Sequence, residues 1–104
     1  MFSDEVLGQL KLLGMRLRQM RLNSGETQAR FAARLGISIP TLRGMENGDP
    51  AVKVGLWAKA LWVLDRLHDM DALLGQRGSL FDEYERKRAY QEIMKRRASK
   101  GKRR

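Results

Sequence analysis

One stretch constrains the chain more than any other: "TQARFAARLGISIPTLRGMENG", residues 27–48. It holds two short helical patterns with a glycine between them. Thr27 predicts the N-cap of one helix, which runs to Leu35 and stops at Gly36, the residue best suited to a left-handed cap. Ser38 predicts the N-cap of the next, which runs to about Asn47 and carries Pro40 in its first turn, where a missing N–H costs nothing. Phe31, Ala32 and Leu35 face inward from the first helix, and Leu42 and Met45 from the second. Two helices joined by "LGIS" cross steeply. Ala32 and Ala33 are small enough to permit close approach, and Ile37 plugs the space under the turn. The result is a rigid corner with the second helix protruding, a shape that fits a groove about 12 Å wide, the major groove of duplex DNA.

The rest of the chain supplies helices to hold that corner. Val6, Leu10, Leu13, Leu17 and Met20 step by three and four and line one face of a first helix. Ser3 is its N-cap, Asp4 and Glu5 lie near the positive end of its dipole, and "NSG" ends it. After "NGDP" breaks the chain, a fourth helix covers roughly residues 54–64. "DRLHDMDALL" continues it or forms a short fifth helix, with Leu56, Ala60, Val63, Leu67, Met70 and Leu74 in one period. Strand signals are poor: β-branched alternation is missing. "GQRGS" reads as a linker. Beyond it, Ser79 and Asp82 resemble a capping box, "LFDEYERKRAYQEIMKRR" is rich in helix formers, and "ASKGKRR" reads as disordered.

Charge points to a polyanionic partner. The 104 residues carry 21 Lys and Arg against 12 Asp and Glu, a formal net charge of +9. Residues 1–74 hold ten basic and eight acidic groups, whereas residues 75–104 hold eleven and four. No apolar run approaches the ~20 residues needed to cross a bilayer, and the acidic start has no signal-peptide pattern. The expected location is cytoplasmic, on the nucleoid. With no cysteine and only His68, neither a thiolate site nor a multi-histidine site can be assembled in one chain. A nucleophile–base pair and a phosphate loop are also missing from the sequence, so the expectation is a non-enzyme with no cofactor and no metal.

Residues 16–64 resemble the helix-turn-helix domain of the Xre and Cro/phage-repressor family. The resemblance rests on "LRQMR", "GETQ", "FA", "LGIS", "ME" and "NG", which fall at the family's spacings without a gap. It implies an all-α fold, a five-helix lambda-repressor-like helix-turn-helix domain over residues 1–74, to which the residues beyond add a basic C-terminal helix and tail over 75–104. It also implies sequence-specific binding of double-stranded DNA. Gln28 is then the phosphate contact at the start of the second helix. Ser38 opens the recognition helix, whose groove-facing positions are Ile39, Pro40, Thr41, Arg43 and Gly44. Asn47, with Gly48, turns the chain and offers backbone to phosphate. Glu46 is structural, pairing with Arg16 or Arg21 on the first helix.

The chain departs from the family in its reading face. Ile39, Pro40 and Gly44 have no side-chain hydrogen bonds to give. Arg43 alone can make a bidentate contact to guanine, and its plain alternative is a solvated surface arginine. Ile39 or Pro40 offers contact to a thymine methyl, and Thr41 serves base or phosphate. One copy therefore reads few base pairs, and specificity calls for a homodimer on an inverted repeat. Trp62, Leu64, Leu67, Met70, Leu73 and Leu74 are the candidates for its interface. Trp57 and Trp62 point to different helix faces, so one is core and the other rim or contact.

"GDP", the following "W-A" and "LDRL" further resemble HipB-like partners of HipA-type kinase toxins. That implies an autorepressor of a toxin–antitoxin operon. The alternative is a toxin-binding protein whose DNA contacts are secondary. The basic tail is an arm on the DNA backbone, a helix that folds on a partner, or a solubilising tail. A membrane role is disfavoured by its weak apolar stripe.

Overall fold

The computed structural model describes residues 1–75 and 80–102, and every regular element among them is helical. In order they are α1 (Asp4–Asn23), α2 (Gln28–Leu35), α3 (Ile39–Glu46), α4 (Val54–Val63), a 3₁₀ helix (Leu67–Ala72) and α5 (Leu80–Lys102). They fall into two compact units, Met1–Leu67 and His68–Arg104. None of the described helices is long and apolar enough to cross a membrane. The Ser79 cap and most of the "GQRGS" linker lie outside the described residues.

Three N-caps form as the side-chain chemistry dictates. Ser3 Oγ accepts the Val6 N–H at 3.2 Å, Thr27 Oγ1 the Arg30 N–H at 3.1 Å, and Ser38 Oγ the Thr41 N–H at 3.2 Å. Each bond satisfies one orphan donor and contributes about 1 kcal/mol. Gly36 closes α2 with φ +69°. The Ile37 N–H reaches Ala32 O at 3.0 Å and the Gly36 N–H reaches Ala33 O at 3.1 Å, the two bonds of a Schellman end. That pair sets the angle of the corner.

Beneath the corner lies a small core of Leu17, Phe31, Ala32, Leu35, Leu42, Met45 and Ala60. Ile37, Ile39, Val52, Leu56, Trp57, Val63 and Leu64 pack around it. Phe31, Leu35, Leu42 and Met45 are fully buried, each contributing roughly 1.5–3 kcal/mol of transfer free energy. Of the two small residues, only Ala32 is buried; Ala33 is exposed. Trp57 packs on the core while Trp62 is 66% exposed.

The face that α1 buries differs from its apolar stripe. Gly14, Leu17 and Arg21 are buried, whereas Val6 and Leu13 are exposed. The reason is a backbone-to-backbone crossing. A Cβ on Gly14 would lie 2.5 Å from the carbonyl oxygens of Met45 and Glu46, and one on Gly48 would lie 2.6 Å from the backbone of Lys11. Those two glycines let the end of α3 seat on the middle of α1, so the first turns of α1 extend past the core with their apolar side chains uncovered.

One open alternative is decided and one expectation is corrected. Of the two readings of "DRLHDMDALL", the separate short helix is the one that forms: Asp65 takes φ +57°, α4 stops, and the chain restarts as a 3₁₀ helix with a different residue rise. Leu67 and Leu74 are consequently exposed. The segment from Ala98, expected to be disordered, is helical as far as Lys102. Its alanine and lysines extend a helix already nucleated upstream.

Candidate nucleic-acid interface

Helical periodicity divides α3 into two faces. Leu42, Met45 and Glu46 are buried. Pro40, Arg43, Gly44 and Asn47 recur at i, i+3, i+4 and i+7 on the opposite side. Pro40, Arg43 and Asn47 are exposed, and Gly44 is half-buried. Ser38 and Thr41 are exposed at the N-terminal edge, and their hydroxyls bond each other at 2.8 Å. Ile39 is half-buried and packs against the core, so its side chain is turned partly away from the open face.

The inner side of this helix is tied down by a buried ion pair. Arg21 Nε donates to Glu46 Oε2 at 2.7 Å and Nη2 donates to Oε1 at 3.1 Å. Both residues are 5% exposed. Of the two arginines considered as partners of Glu46, the fold selects Arg21; Arg16 is exposed. The bonds to Glu46, opposed by burial, raise the Arg21 pKa above its ordinary value. Arg21 also donates from Nη1 to Glu26 O at 2.8 Å, which fixes the loop before α2. A two-pronged pair of this kind orients both helices, and removing either partner would leave a buried charge uncompensated.

From Glu46 the network continues outward. Gln28 Nε2 donates to Glu46 Oε1 at 3.2 Å, and Arg43 Nε donates to Gln28 Oε1 at 3.2 Å. The chain Arg21–Glu46–Gln28–Arg43 therefore runs from the interior of α1 to the outer edge of α3. Gln28 is half-buried and both ends of its amide are engaged inside the protein. Arg43 meets Gln28 through Nε, and the Nη end of the guanidinium is the part that can present two donors to guanine O6 and N7. Sequence reasoning placed Gln28 and Arg43 at the site but missed the bond between them, since fifteen residues separate them.

The far edge of α3 carries a residue that sequence reasoning read only as part of a turn. Asp49 is exposed, and its N–H donates to Gly44 O at 2.9 Å. With Pro40, Thr41, Gly44 and Lys53 it lines an open depression of about 570 Å³. Gly48, expected to offer its backbone to phosphate, is buried against α1 instead.

A family model of the helix-turn-helix domain matches residues 12–78. The chain belongs to that family. Neither a comparison with curated proteins nor one with solved structures finds a match. Helix α2, the Gly36 turn and α3 are the helix-turn-helix itself, a DNA-binding unit of transcription regulators. The matched region starts at Leu12, close to where α1 meets α3, and leaves out the uncovered first turns of α1 and all of α5.

Proposed function

We propose that this helix-turn-helix protein is a sequence-specific regulator that binds an inverted-repeat operator as a homodimer and represses its own promoter by occluding it. The observation that carries this reading is the two-faced α3: pinned from inside through Glu46 to Arg21, open on its Pro40–Arg43–Gly44–Asn47 side. Ser38, Ile39, Pro40, Thr41, Arg43 and Gly44 are the residues brought to the groove, with Gln28 and Asn47 beside the phosphates. Gln28 serves them by steadying Arg43 as well as by its position at the start of α2. The protein acts in the cytoplasm, on the nucleoid.

Trp62 and Leu67 in the first unit and, separately, Leu73 and Leu74 in the second are exposed apolar residues that a second copy would cover. Light scattering of wild type and Trp62→Ala checks this: a dimer that dissociates on substitution supports it. The "GDP", "W-A" and "LDRL" resemblance supports a toxin–antitoxin operon, with a HipA-type kinase as partner. Co-expression with the neighbouring reading frame tests that part, a co-purifying kinase-like protein being the expected result. The 66% exposure of Trp62 equally favours a second reading, a toxin-binding protein whose DNA contacts are secondary. Footprinting of the upstream DNA decides between them: two protected half-sites about one helical turn apart support repression.

A further inference from the structure

The centre of the outer face of α3 has no hydrogen-bonding side chain with which to read a base. Pro40 and Gly44, one turn apart, present no side-chain donor or acceptor. What lies beside them comes from the next loop. A Cβ built on Gly44 would sit 3.5 Å from Asp49 Oδ2 and 3.6 Å from Asp49 Cβ. A carboxylate thus lies against the position where a residue-44 side chain would begin. Two bonds set its place. The Asp49 N–H donates to Gly44 O at 2.9 Å, and Asp49 Oδ1 accepts the Ala51 N–H at 2.9 Å. The second bond anchors Oδ1 in the turn and leaves Oδ2 on the Gly44 side, next to the open depression.

We propose that Asp49 is the base-reading group that Gly44 lacks, its Oδ2 accepting a hydrogen bond from the N4 amino group of a cytosine in the major groove. This rests on the DNA-binding reading above. The chemistry selects the base. An ionised carboxylate only accepts. Guanine shows it N7 and O6, and thymine shows O4, all acceptors that repel it. Adenine offers an N6 amino group beside the N7 acceptor, a pattern that suits an amide better. Cytosine offers its N4 amino group with no acceptor on the same base. A carboxylate facing DNA also weakens attraction to every phosphate nearby, so its contribution is discrimination through repulsion of the wrong base. The bare face makes the contact reachable. With a proline and a glycine at its centre, α3 can lie deeper in the groove, which brings a short side chain to the base edges. Arg43 on one edge and Asp49 on the other then read a guanine and a cytosine.

Asp49→Asn is the discriminating variant. An asparagine keeps the acceptor for the Ala51 N–H and replaces Oδ2 by an NH₂ donor of the same shape. Full-length wild type, Asp49→Asn and Asp49→Ala are each used to select from a randomised duplex library. Their affinities for the selected sequence and its single-base variants are then measured, with circular dichroism confirming the fold. Wild type is expected to select a cytosine at one position of each half-site. Asp49→Asn loses that preference by about tenfold and moves toward a base that presents an acceptor. Asp49→Ala shows no preference there and binds all duplexes more tightly. Selection of the same cytosine by well-folded Asp49→Asn overturns the proposal while leaving DNA binding intact, and Asp49 is then a turn residue alone. Failure of wild type to retain any duplex overturns the proposal together with the reading beneath it.

Discussion

The two units of this chain solve the problem of staying folded by different means. Met1–Leu67 buries seven apolar residues and one two-pronged ion pair. His68–Arg104 buries none of its described residues completely. Leu80, Phe81, Tyr84, Tyr90, Ile93 and Met94 on α5 are all exposed. What holds the second unit is local: Arg86 to Asp71 at 3.2 Å, Arg96 to Glu92 at 3.4 Å, and Arg88 stacked 5.9 Å from the Tyr84 ring. Exposed pairs of this kind contribute about 0–1 kcal/mol each. Helix-forming sequence thus yields a packed body where apolar residues recur in register, and a solvated helix where charged residues crowd them out. A rigid site requires the first solution, because a reading helix must be over-determined from behind.

The largest expected effect comes from breaking the crossing of α1 and α3. Gly14→Leu places a side chain where two carbonyl oxygens lie within 2.5 Å of its Cβ. The first unit should lose its cooperative thermal transition, followed by circular dichroism. A folded Gly14→Leu protein with an unchanged midpoint would show that the helices are not in backbone contact. Next comes Glu46→Ala, expected to cost about 3–5 kcal/mol in urea unfolding by leaving Arg21 buried and unpaired. The double change Arg21→Met with Glu46→Leu should recover most of that loss. Since the Arg21 pKa is raised on folding, its contribution is complete below the unfolded value and fades only in strong base, so the neutral range should show no loss from this arginine.

Smaller effects sharpen the contrast. Thr27→Ala removes the cap of α2 and should cost about 1 kcal/mol. Arg86→Ala, in the second unit, should change the unfolding midpoint of the first unit by less than about 0.5 kcal/mol equivalent. In native-state hydrogen exchange the amides of α5 should exchange well before those of α2 and α3. Equal protection across the two would mean that α5 has a packing partner.

How much of this was legible beforehand follows from how local each cause is. Ser3, Thr27, Ser38 and Gly36 act on their own turns, so the caps and the corner could be read directly. Leu42 and Met45 follow from period, and the pairing of Glu46 with α1 from family resemblance. The backbone crossing could not be read, since Gly14 inside a helical run shows only that something approaches closely, not what. The stop at Asp65 was left as one of two alternatives, because the apolar period runs on through it and an aspartate only sometimes takes the left-handed region. At the site, residue types gave Arg43, but the Gln28 bond and the placement of Asp49 beside Gly44 depend on the tertiary fold.

On the proposed function, α3 reads sequence from a fixed position on the body. The decisive experiment is fluorescence anisotropy of Arg43→Ala against wild type, on the operator and on single-base variants over a range of salt. Arg43→Ala should lose about 1–3 kcal/mol of discrimination at one guanine in each half-site, with the salt slope unchanged. A uniform loss on every duplex, with a shallower slope, would contradict it.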